Sequence, residues 1–83
     1  MALFMDAHDL HSPVTLDDVA KAHAADVATQ DAHGVHYLQY WVDESRGRIF
    51  CLVEAPDAEA AATVHREAHG LVADEIHPVV EGH

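Results

Sequence analysis

The stretch VHYLQYWVDESRGRIFCLVE, residues 35–54, decides how this chain folds. Two runs rich in β-branched and aromatic residues, 35–43 and 48–54, flank a short polar segment that ends in Gly47. That spacing predicts two antiparallel strands joined by a hairpin loop. Helix signals lie on both sides. Upstream, Thr15 stands as an N-cap with Asp18 in the capping-box position, and Val14 and Val19 are placed to staple the first turn. Leu16, Val19, His23 and Val27 then recur at helical spacing as one buried stripe, and Gly34 supplies the left-handed stop. Downstream, Pro56 and Asp57 open a second helix that runs to His69, with Gly70 as its stop and Leu71 folding back as the apolar partner.

Working outward, residues 2–8 alternate as a strand, with Leu3, Met5 and Ala7 on one side and Phe4, Asp6 and His8 on the other. A last strand spans about residues 73–80, where Pro78 argues for a sheet edge. The order strand, helix, strand, strand, helix, strand is the split βαβ arrangement of a ferredoxin-like α+β domain. In it, two helices cover one face of a four-stranded antiparallel sheet. With 83 residues, the whole of 1–83 is read as a single domain. The uncovered face is expected to carry Phe4, Phe50, Leu52 and either Tyr37 with Trp41 or Leu38 with Tyr40. That is too much apolar surface to leave in water, so a homodimer packed sheet to sheet, as in dimeric α/β barrels, is predicted.

Fifteen acidic residues against four basic ones give a formal charge of −11. This balance argues against nucleic acid and anionic lipid as partners and favours cations. No segment approaches the roughly 18 apolar residues of a membrane span, and the N-terminus lacks the cationic start of a signal peptide, so a cytoplasmic location is expected. The single Cys51 cannot make an internal disulfide and reads as an inert thiol in an apolar strand.

Nine histidines in so short a chain are the unusual feature. His65 and His69 sit four apart on the second helix and so share one side, where they can hold one ion. Glu67 is off that side, which excludes the metalloprotease arrangement. Asp6 and His8 alternate onto one strand face, and Asp9 and His11 follow in the turn. Carboxylate with imidazole suits nickel, with zinc, copper or cobalt as in vitro competitors, and calls for no closed thiolate cage. His23, inside the apolar stripe, needs a hydrogen-bond partner: a backbone carbonyl or tyrosine if it is a core residue, or, if it stands close to His65 as a ligand, Asp26 one turn on as the acceptor that orients its ring. The candidate metal ligands are therefore His65, His69, Asp6, His8, His23 and His11. Protonating all nine imidazoles would carry the formal charge from −11 to −2, so weaker metal uptake below about pH 6 and a pH-dependent assembly are both consistent with this composition.

The runs 3–8, 37–43, 50–57 and 64–71 resemble a small actinobacterial family with a ferredoxin-like fold that includes a nickel-binding protein. The resemblance implies a homodimer that takes up nickel for sequestration or tolerance of excess metal, with no catalytic activity. The expected function is thus nickel binding through His and Asp. The competing expectation is a cofactor-free enzyme or small-molecule binder of the dimeric α/β barrel type, with His8, Tyr37, Trp41 and Glu54 around a pocket.

Overall fold

A computed structural model of the chain describes residues 2–82. Its elements run β1 (Ala2–Asp9), α1 (Leu16–Thr29), a short 3₁₀ segment (Gln30–His33), β2 (His36–Asp43), β3 (Arg48–Ala55), α2 (Ala58–Ala68) and β4 (Glu75–Pro78). The strands form one antiparallel sheet in the order β2-β3-β1-β4, and the fold is ferredoxin-like α+β as expected. Pro78 lies in the edge strand β4, where its missing N–H disturbs no inner ladder.

Both helix starts follow from their caps. Thr15 Oγ1 accepts from the Asp18 N–H at 3.1 Å, and Asp57 Oδ1 accepts from the Ala60 N–H at 2.8 Å. The end of α1 differs from expectation. Gly34, in the left-handed region at φ 66, closes the 3₁₀ segment and not α1 itself, which stops at Thr29. The buried stripe of α1 is also rotated from the predicted one. Val19 and Asp26 are buried, whereas Leu16 and Val27 are about half exposed. A carboxylate occupies the core position because it has partners on α2, described below.

The core forms between the helices and one sheet face, from Phe4, Val19, Val35, Tyr37, Ile49, Val53, Val64 and their neighbours. Phe4 is therefore on the covered face, a correction to the prediction that it lies on the bare one. It shares that face with Asp6 and His8, its i+2 and i+4 neighbours, so its burial places those two polar residues inside. Neither predicted pairing on β2 is found. A bulge between Tyr37 and Gln39 breaks the alternation, so Tyr37 and Tyr40 both turn toward the helices while Trp41 turns outward. The bare face is built from Met5, Phe50, Leu52 and Trp41, of which Trp41 and Phe50 remain exposed.

The hairpin between β2 and β3 presses on the segment that follows β1. A Cβ at Gly47, whose φ is 69, would fall 1.8 Å from the Ser12 carbonyl oxygen. The Gly47 carbonyl accepts from the Leu10 N–H at 2.9 Å, and the Glu44 carbonyl accepts from the Val14 N–H at 3.0 Å. These contacts anchor the end of β1 just beyond His8.

Candidate metal centre

Four elements aim side chains at one region between sheet and helices. On β1, Asp6 and His8 are two apart and project from the same face; on β3, Cys51 stands directly opposite Asp6. The bulge in β2 brings Tyr37 to the same layer. From above, α1 contributes Asp26 and α2 contributes His65, with His69 one turn further on at the helix end. Asp6, His8, Asp26 and His65 are all at most 5% exposed. Buried charge of this density persists only where it is paired.

His65 is the hub. Its Nε2 lies 2.9 Å from Asp6 Oδ2 and its Nδ1 lies 2.9 Å from Asp26 Oδ1. Ionised carboxylates only accept, so the ring donates from both nitrogens and is an imidazolium. Burial alone would pull its pKa down, but the hydrogen bonds to Asp26 and Asp6 and their negative charge outweigh it and hold the ring at about 9. Burial likewise works against ionised Asp6, and its hydrogen bond with His65, together with the His8 ring close by, wins and keeps the carboxyl well below the usual range. Burial, reinforced by the Asp6 charge, pushes the Tyr37 phenol and the Cys51 thiol far above their ordinary values, so both are neutral.

His69 joins through the same aspartate. Its Nδ1 accepts from the Leu71 N–H at 3.1 Å, which leaves the proton on Nε2, 3.0 Å from Asp26 Oδ1. The Tyr37 hydroxyl sits 3.2 Å from Asp6 Oδ2 and 3.0 Å from the Ala61 carbonyl oxygen. One atom is left out. His8 Nε2 approaches Asp6 Oδ1 to 3.3 Å but is not aligned to donate, and Asp6 Oδ1 is buried with no hydrogen bond among the described residues.

Two groups have ligand atoms close enough to share an ion, each set lying within 4.8 Å: Asp6, His8, Cys51 and His65, and Asp26, His65 and His69. His65 belongs to both, through opposite ring nitrogens. Imidazole nitrogen, carboxylate oxygen and a thiol sulfur form a donor set that fits a borderline divalent transition metal and fits magnesium or calcium poorly. Beside the centre lies a narrow cleft lined by His23, Tyr40, Val19, Ile49, His69 and Leu71.

Residues 4–79 match the family described as nickel responsive protein SCO4226-like. The chain belongs to that family. Among solved structures, the crystal structure of SCO4226 from Streptomyces coelicolor A3(2) is 44% identical to it. That similarity covers 99% of this chain and 100% of that one, with a TM-score of 0.92. No curated protein matches. A nickel-responsive family and a donor set of imidazole and carboxylate point the same way.

Of the ligands expected for this SCO4226-like chain, the structure brings together Asp6, His8, His65 and His69. His23 lines the cleft and packs its ring on Tyr40, centroids 4.7 Å apart, and it belongs to neither ligand group. The expected pairing of Asp26 with His23 is replaced by Asp26 with His65 and His69. His11 stands apart: it has a left-handed backbone (φ 58) in the turn after β1, and its side chain is 84% exposed and faces only Asp9. Continuing the strand alternation past Asp9 is what misplaced it. His33 pairs with Glu67 on the surface, His36 and His77 are exposed, and His83 lies outside the described residues. The pocket expected around His8, Tyr37, Trp41 and Glu54 does not form, because the first two face the helices and the last two the opposite side of the sheet.

Sequence reasoning placed Tyr37 on the bare face or in a barrel pocket and not beside Asp6, and it missed the nearness of Cys51 to Asp6. The register of β1 against β3 was the only signal for the second, and it could have been found by pairing both strands outward from their buried positions.

Proposed function

We propose that this protein binds nickel through Asp6, His8 and His65, with Asp26 and His69 supporting the site, and that it serves to sequester the metal in the cytoplasm and carries no catalytic activity. The observation that carries this reading is the buried, unpartnered Asp6 Oδ1 within reach of two imidazoles. Asp26 accepts from His65 Nδ1, which leaves Nε2 as the nitrogen that would face the ion and fixes the ring's orientation. The surrounding charge of −11 raises the local concentration of dications. Bound nickel supplies the positive charge that Asp6 otherwise finds only in His65.

Calorimetric titration of the metal-free protein at neutral pH tests this. Nickel is expected to bind in the micromolar range or tighter, and His8→Ala to weaken binding by about 10–100-fold. Unaltered affinity in His8→Ala, or no heat at all, would reject the site.

The exposed Trp41 and Phe50, beside Met5 on the bare sheet face, support a second copy of the chain as the partner. Sedimentation is expected to report a dimer for the parent and a monomer for Trp41→Glu. A monomeric parent would refute the dimer without touching the metal site.

A further inference from the structure

The cleft between α1, the end of α2 and the sheet holds a polar group that no contact within the fold uses. Asp26, 3% exposed, lines it from α1. Both of its imidazole partners, His65 Nδ1 at 2.9 Å and His69 Nε2 at 3.0 Å, meet the same atom, Oδ1. Oδ2 has no hydrogen bond among the described residues. The one buried side-chain nitrogen or oxygen without a partner among those residues is Asp6 Oδ1, so Asp26 Oδ2 keeps an opening to solvent. A carboxylate oxygen left open in a recess walled mostly by apolar side chains calls for a donor from outside. The recess has room for one. Its enclosed volume is about 20 Å³, enough for a single water-sized group. Val19, Ala22 and Ile49 form its walls, and Leu71, 44% exposed, stands among them. The ring of His23, packed on Tyr40, also lines it.

We infer that this cleft is a binding site for a small primary amine, whose ammonium group enters the water-sized space and donates to Asp26 Oδ2 while a short apolar body rests on Val19, Ile49 and Leu71. Three observations select that ligand. The unused group is a carboxylate oxygen, and a charge-assisted N–H···O bond to it is roughly twice as strong as a neutral one. An ammonium is about the size of a water molecule, so the head fits a space that a ring or a branched chain overfills. The chain carries a formal charge of −11, which draws cations to the mouth and repels carboxylates and phosphates, so the imidazoles on the walls do not make this an anion site. The apolar walls then supply what a bare cation cannot use, a surface for the body of the ligand to leave water. The inference stands apart from the nickel reading, and its test is run in chelator.

Isobutylamine titrated into the metal-free protein, with backbone amide shifts followed by proton–nitrogen correlation NMR, tests the assignment. Saturable shifts are expected at Val19, Ala22, His23 and Leu71. Isobutanol, which keeps the body and loses the charge, is expected to bind about 10-fold more weakly. Asp26→Asn is expected to bring the amine down to the affinity of the alcohol. Ala22→Leu fills the recess from α1 while leaving Asp26 and its two imidazoles in place, and it is expected to abolish the saturable shifts. That second variant decides the matter even where loss of the Asp26 charge unfolds the chain. Shifts that are absent, that spread over the acidic surface without saturating, or that persist in Ala22→Leu would overturn the site and leave only adventitious ion pairing. Equal affinity for isobutanol, or tighter binding of isobutyrate, would overturn the ammonium assignment. Nickel calorimetry is read separately, so failure here and failure of the metal site are distinguishable.

Discussion

Replacing His65 by alanine is expected to destabilise the metal-free protein by about 3–5 kcal/mol, because it leaves two aspartates buried and facing each other without the cation between them. Asp6 and Asp26 are 1% and 3% exposed, and each has a His65 ring nitrogen 2.9 Å away. Against a typical total of about 5–15 kcal/mol for a domain, that loss decides whether the chain folds at all. Urea unfolding checks it, with His69→Ala as the comparison. His69 meets Asp26 from the cleft side with its own side chain 14% exposed, so its removal is expected to cost about 1 kcal/mol. Equal midpoints for His65→Ala and the parent would show that the hub is not structural. The same substitution removes a ligand common to both groups, and nickel binding is expected to disappear with it.

Raising the pH from about 6.5 to about 9 is expected to weaken the metal-free fold by about 3 kcal/mol. His65 has an ordinary value of 6.5 and a folded one of about 9. The folded state thus holds a proton that the unfolded chain has released, and the stabilisation is complete below 6.5 and lost as pH climbs through 9. Asp6 acts at the other end. Its carboxyl is held below the ordinary 3.8, so its contribution is present above that value and fades as pH falls. Both contributions come from one set of contacts and are not to be added. Nickel should reverse the alkaline trend, because loss of the Nε2 proton frees the nitrogen that the ion needs. Thermal unfolding across pH 6 to 9.5, with chelator and with nickel, is the measurement. A flat profile in chelator would contradict the imidazolium.

The order of elements was legible because each boundary carries a local signal: the Thr15 and Asp57 caps, the Gly47 turn and the edge proline Pro78. What escaped depends on long-range pairing. Strand alternation cannot reveal the bulge between Tyr37 and Gln39, and beyond a bulge every residue changes face, which is why both predicted arrangements of β2 failed. Phe4 was assigned to the bare face although Asp6 and His8 share its side. Two polar neighbours made that side look solvated, when they are the buried half of the metal centre.

The site was half legible for the same reason. His65 with His69, and Asp6 with His8, announce themselves by helical and strand periodicity. Asp26 is legible only as an acceptor for His23 on its own helix, because nothing in the spacing shows that α2 sets two imidazoles against it. Its burial at the expense of Val27 is a local conflict between pattern and fold, and such conflicts gather at functional sites.

Anomalous diffraction at the nickel edge from crystals of the nickel-loaded protein tests the central claim most directly. An ion is expected between β1 and α2, within about 2.2 Å of His65 Nε2, a His8 nitrogen and an Asp6 oxygen. Nickel found solely on exposed histidines such as His11, His36 and His77, with the contacts from His65 to Asp6 and Asp26 intact, would contradict it.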